Sequence, residues 1–126
     1  MKYLIDSSAW IEYLKGSEKG EKVNKVLSGE NEIFVIPLNI GEVISKVKRE
    51  NQNIQIAYNT LTSNSKLIQV SAEIAKDSGV FHAEERKKGS SMSLADALII
   101  KTAEKLGLKV LTTDNHFKNL KNAEII

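Results

Sequence analysis

The chain has 126 residues, 41% hydrophobic and 27% charged, with a net charge of +2. That suits one ordinary domain with its own core, and the charge is too small to argue for nucleic-acid binding by itself. There is no cysteine, which excludes disulfides, thiolate zinc sites and cysteine nucleophiles and fits a reducing cytoplasm.

The chain opens with KYLI at 2–5, which reads as a short buried strand. Asp6 interrupts that apolar run, so the segment is expected to be neither a signal peptide nor a membrane anchor. Residues 8–15 read as a helix ended by Gly16, and a second helix covers 18–28 and stops near Gly29. Residues 32–36, EIFVI, are β-branched and aromatic, as in a strand. Pro37 suits the first turn of a helix, and Ile40, Val43, Ile44 and Val47 recur at helical spacing. A short helix is expected over 54–62 and a strand over 66–70, KLIQV. Ser71 caps a helix whose charged tail, Glu84 to Lys88, runs into Gly89. Ser93 starts another helix, ended by Gly107. Residues 109–112, KVLT, read as a strand, followed by a short helix near 115–120 and an edge strand over 123–126.

Strands alternate with helices almost throughout. The pattern predicts a single domain over 1–126, a three-layer α/β/α fold around a mostly parallel sheet. Ligands in such sheets bind beyond the carboxyl ends of the strands, where the strand order reverses. Attention therefore falls on Asp6, on Pro37–Glu42 and on Thr112–Asp114.

Asp6 and Asp114 each follow a strand, where a carboxylate either serves a crevice or caps the next helix. Asp96 lies in LADALII at 94–100, in otherwise apolar company. A carboxylate there needs a partner or a cation, although Ser93 and Asp96 also have the spacing of a capping box. Glu42 shares a helix face with Leu38 and Lys46, and an exposed pair with Lys46 is its simplest role. The four acids gain weight as a set. Hard cations take oxygen ligands, and only His82 and His116 offer imidazole nitrogen, so the set points to Mg²⁺ or Mn²⁺ and to phosphodiester hydrolysis without a protein nucleophile.

Four segments, LIDSSAWI at 4–11, IPLNIGEV at 36–43, SLADALIIKTAEKLG at 93–107 and VLTTDNHF at 110–117, together resemble the four acidic motifs of PIN domains, in particular the VapC-type toxin ribonucleases. The resemblance spans nearly the whole chain. It implies that Asp6, Glu42, Asp96 and Asp114 hold the metal, with Ser7 or Ser8 as the hydroxyl beside the first acid and Thr112 as the hydroxyl before the last. Some members carry a further acid two residues after the last aspartate, where this chain has His116. The resemblance also implies an endoribonuclease that forms a homodimer and is inhibited by an antitoxin.

Other features admit two readings each. Trp10, Ile11, Tyr13 and Leu14 suit core packing, or an interface for an antitoxin segment. Lys46, Arg86 and Lys87 are candidates for contact with an RNA backbone, though the run Arg86–Lys88 also suits a solvated helix end. Rival functions are a housekeeping RNA-processing nuclease of the same fold, a phosphoacceptor receiver, and a non-catalytic RNA-binding module. The receiver needs an acidic pair after its first strand, and Asp6-Ser7-Ser8 is not one.

Overall fold

A computed structural model describes residues 1–126. Five strands form one sheet: β1 (Lys2–Ile5), β2 (Glu32–Val35), β3 (Lys66–Leu67), β4 (Lys109–Thr112) and β5 (Ala123–Ile125). Their order is β3-β2-β1-β4-β5, and every pairing is parallel. Leu4 sits opposite Phe34 on one side and Val110 on the other, which places β1 at the centre. Six helices cover the sheet: α1 (Ser7–Lys15), α2 (Glu18–Ser28), α3 (Pro37–Arg49), α4 (Ile54–Asn64), α5 (Ala72–Lys87) and α6 (Leu94–Leu106). None is long and apolar enough to cross a membrane.

The two-residue period of a strand sends alternate side chains to opposite faces. Tyr3 and Ile5 join Ala9, Trp10, Val23, Val43, Val47, Ala57 and Leu61 in a cluster beneath α1–α4. Leu4 and Val110 point the other way, into a cluster with Ile99, Ile100, Ala103 and Phe117 that lies beneath α6. The result is the three-layer α/β/α arrangement, with a core on each face of the sheet.

Glycines set two local features. Gly16 ends α1 with φ 67°, a conformation that a side chain disfavours. Gly20 lets α2 lie directly on α1, because a Cβ there would run into the Glu12 carbonyl.

The structure revises several expected boundaries. The strand expected over 66–70 pairs only at Lys66 and Leu67, opposite Phe34 and Val35. Its partner β2 ends there because Ile36 already serves as the N-cap of α3, so residues beyond Ile68 have nothing to pair with. The short helix near 115–120 is a single 3-10 turn over Asn115–Phe117. Trp10 is fully buried and meets Tyr13 edge-on at 6.2 Å. Ile11, Tyr13 and Leu14 are partly buried against the same cluster, so most of this apolar surface is spent on the core.

Candidate active site

Chain order runs outward from β1 in both directions, to β2 and β3 on one side and to β4 and β5 on the other. The switch point therefore lies between β1 and β4, and this is where an open α/β sheet leaves a crevice at its carboxyl edge. Asp6 directly follows β1, and Asp114 stands two residues past β4. The backbone N–H of Asp6 donates to the Leu111 carbonyl at 2.9 Å, fastening the two strand ends together.

Asp6 occupies the N-cap position of α1, yet its side chain makes no capping hydrogen bond. Its Oδ2 instead accepts from Thr112 Oγ1 at 2.9 Å and from Ser8 Oγ at 3.1 Å. Ser8 Oγ also accepts from the Thr113 amide, and Thr112 Oγ1 accepts from the Asp114 amide. The turn carrying the last aspartate is thus built around the hydroxyls that hold the first. Asp6 is buried, and burial raises its carboxyl to about pKa 6. The hydrogen bonds from Thr112, Ser8 and the Ser7 backbone pull it down in part, and the charge of Asp96 adds to the rise.

Asp96 comes from the first turn of α6. The capping box with Ser93 is present in full: Asp96 N donates to Ser93 Oγ at 3.1 Å and Ser93 N donates to Asp96 Oδ2 at 3.3 Å. The same Oδ2 lies 3.1 Å from His116 Nδ1. Asp114 Oδ1 accepts from the His116 amide at 2.9 Å and stands 3.3 Å from the same ring nitrogen. Asp96 and Asp114 therefore each cap a helical turn and also face one shared imidazole. Ligand atoms of Asp96, Asp114 and His116 all lie within 4.8 Å of one another.

Glu42 approaches from α3. The expected pair with Lys46 does not form. Glu42 Oε1 accepts from Ser7 Oγ at 2.6 Å, and Ser7 Oγ accepts from Asn39 Nδ2 at 3.0 Å. Ser7 and Ser8 thus divide the work, the first reaching Glu42 and the second reaching Asp6. Asn39 is fully buried and was not among the residues expected at the site. The sequence carries a signal for it: Asn39 shares with Val43 and Val47 the face of α3 that packs into the core. A lone amide on such a face needs a dedicated partner.

The basic candidates separate. Lys46 pairs with Glu50 at 3.0 Å, a turn further along α3 from Glu42, and holds the Glu50 carboxyl below its usual range. Arg86 and Lys87 are exposed in the last turn of α5. Glu73, near the start of α5, pairs with Lys105 near the end of α6. The two helices are therefore antiparallel, and Arg86 and Lys87 stand at the end of the pair where α6 presents Asp96.

The donor set fits a divalent cation. It offers carboxylate oxygens from separate elements and one buried carboxylate that a cation would help to ionise. Asp96, Asp114 and His116 are the group near enough together to hold it. Asp6 reaches them through Thr112 and the charge of Asp96, and Glu42 is tied only to Ser7.

Acids at the switch point of an all-parallel sheet stand where open α/β sheets bind their ligands. The PIN domain family model matches residues 3–123, and the chain belongs to that family. Solved structures agree in fold. The chain superposes on VapBC2 from Rickettsia felis, bound to a DNA fragment from its promoter, with a TM-score of 0.78 and 20% identity over 100% of this chain and 99% of that one. For a toxin-antitoxin complex from Klebsiella pneumoniae the values are 0.76 and 22%, over 97% and 95% of the two chains. For VapC20 of Mycobacterium tuberculosis, a toxin that cleaves the sarcin-ricin loop, they are 0.76 and 16%, over 98% of each. A sequence search of curated proteins finds no match to this chain.

Proposed function

We propose that residues 1–126 act as one nuclease domain, an Mg²⁺- or Mn²⁺-dependent endoribonuclease that serves in the cytoplasm as the toxin of a VapBC-type pair. The observation that carries this reading is the linkage of acids from three separate elements. The Asp6 carboxylate after β1 is joined through the Thr112 hydroxyl to the backbone amide of Asp114 after β4, and the Asp114 carboxylate meets that of Asp96 of α6 at one imidazole. Glu42, tied to the neighbouring Ser7, is assigned as the fourth acid.

When bound by these residues, a divalent cation would supply positive charge for a phosphate oxygen and would lower the pKa of an attacking water. The chain's own groups prepare the site for it. Thr112 and Ser8 fix the orientation of Asp6 Oδ2. Ser7 and Asn39 hold Glu42, and the capping box fixes the rotamer of Asp96. Arg86 and Lys87 are assigned to the RNA backbone, where they add charge without sequence preference. Unpaired RNA is the preferred substrate, since a loop phosphate moves readily into line and its bases splay out.

The structural neighbours that are toxin-antitoxin complexes support an antitoxin partner for this chain too; a homodimer is proposed from the family resemblance alone. Ile11, Leu14, Val47, Ile56 and Ala57 line a groove edged by Lys15, Lys46 and Glu50, a surface suited to the apolar face of an amphipathic segment.

The test is cleavage of a pool of cellular RNA, mapped by sequencing of the ends. Cuts at defined sites that EDTA abolishes and Mg²⁺ or Mn²⁺ restores would support the proposal. Cleavage indifferent to chelation would overturn its metal-dependent part. Growth arrest on expression that Asp6→Ala removes would support the toxin role, and harmless expression of an RNA-cleaving protein would favour a housekeeping one.

A further inference from the structure

His116 stands where some relatives carry an acid, and its surroundings are those of a ligand. Its Nδ1 lies 3.1 Å from Asp96 Oδ2 and 3.3 Å from Asp114 Oδ1. Both neighbours are carboxylates, which only accept when ionised. Two acceptors around a ring nitrogen require a positive species between them, either a proton on the nitrogen or a metal ion. The other ring nitrogen, Nε2, is 2.9 Å from Ser91 Oγ, a hydroxyl able to accept its proton. With Nε2–H directed at Ser91, the Nδ1 lone pair faces the two acids. Metal-binding histidines are arranged in this way, with the remote N–H anchored by a second partner that fixes the tautomer.

Distances agree with this role. Ligands roughly 2.1 Å from an octahedral ion sit about 3 Å from their neighbours in its coordination shell. The two nitrogen-to-oxygen separations are already close to that edge length, before any ion draws the ligands in. The local backbone also favours it: the His116 amide donates to Asp114 Oδ1, so the turn that orients the last acid orients the imidazole too.

Resting on the metal-centre reading above, we infer that His116 is itself a metal ligand through Nδ1. The site is then a mixed set of Asp96, Asp114 and His116, and it prefers Mn²⁺ or a later transition ion over Mg²⁺. Imidazole strengthens binding to transition ions, while Mg²⁺ takes oxygen ligands and keeps its waters. His116 would thereby set which cation the centre takes up from a mixture.

Titration of the metal-free full chain with Mn²⁺, followed by paramagnetic resonance, tests this directly. Spin-echo spectra of bound Mn²⁺ should show ¹⁴N coupling from a coordinated imidazole. His116→Ala and His116→Asn should both lose that coupling; the only other histidine, His82, lies within α5. In both variants the Kd for Mn²⁺ should rise about tenfold or more, while that for Mg²⁺ changes less than about threefold. The asparagine variant keeps a polar group near the position of Nδ1, so it guards against loss of fold, which circular dichroism monitors. Bound Mn²⁺ without nitrogen coupling, or equal losses for both metals, would overturn the role of His116 and leave the carboxylate centre standing. Failure of the unaltered protein to bind either metal would overturn both.

Discussion

Thr112 Oγ1 donates to Asp6 Oδ2 at 2.9 Å, joining the carboxyl ends of β4 and β1 across 106 positions of sequence. The contact is buried and does three things. It orients the first acid, offsets part of the burial that raises its pKa, and seats the Asp114 amide on the same hydroxyl. Thr112→Val keeps the shape and removes the hydroxyl. The Asp6 carboxyl should then titrate higher still, and RNA cleavage at pH 7 should fall by about tenfold or more. Stability should drop by about 1–3 kcal/mol, since the Asp114 amide loses its acceptor. Cleavage rates and urea melts measure the two effects separately.

The Ser7 hydroxyl is the only side-chain donor to Glu42, and Asn39 holds Ser7 from behind. Ser7→Ala should lower cleavage by about tenfold while the melting point moves by a few degrees at most. Asn39→Ala should cost more in stability, about 2 kcal/mol, because it opens a polar hole in the buried face of α3. Its activity should fall to a similar level, since both variants release the same glutamate. Unchanged cleavage in both would remove Glu42 from the site.

Asp6 gives the protein a defined pH response. Its folded pKa of about 6 lies above the ordinary 3.8, so between these values the folded state binds a proton that the unfolded state does not. For this group stability rises as pH falls from about 6 to about 4. Above pH 6 the ionised carboxylate costs on the order of 3 kcal/mol. In EDTA the unaltered protein should therefore melt higher at pH 5 than at pH 7, and Asp6→Asn should flatten that difference. Affinity for a divalent cation should fall as pH drops through about 6, because the proton and the ion compete for one carboxylate.

Gly20→Ala should destabilise the fold without touching the chemistry. The added methyl group meets the Glu12 carbonyl and the Tyr13 backbone, neither of which is a flexible side-chain end. The expected cost is about 1–3 kcal/mol, read as a lower melting temperature. Specific activity well below the melting point should be unchanged.

The sheet and most helices were legible in the sequence because each carries a local signal. KYLI and KVLT are apolar runs of strand length, Pro37 marks a helix start, and Gly16 and Gly107 mark helix ends. The elements that carry the four acids were legible for the same reason. What the sequence withheld depends on neighbours. The length of β3 is set by where β2 stops, and KLIQV cannot encode that. Glu42 and Lys46 are spaced to pair, yet Ser7 and Glu50 are better placed partners once α1 and α3 pack. For Trp10 the sequence offered core packing first and an interface second, and the packing of α2 and α3 around α1 buries it. Asn39 left a trace in the face it shares with Val43 and Val47, but its partner lies 32 residues away.

Asp96→Asn separates a metal-dependent cleavage centre from a set of helix caps directly. Asparagine keeps the size of the side chain and an oxygen that can cap α6 near Ser93, and it removes one charge from the group of Asp96, Asp114 and His116. Single-turnover cleavage of a mapped RNA, at saturating Mg²⁺ or Mn²⁺, should slow by about 100-fold or more, with a melting temperature close to that of the unaltered protein. A rate within about twofold of the unaltered protein, with the fold intact, would show that Asp96 is a cap alone and would remove it from the metal centre.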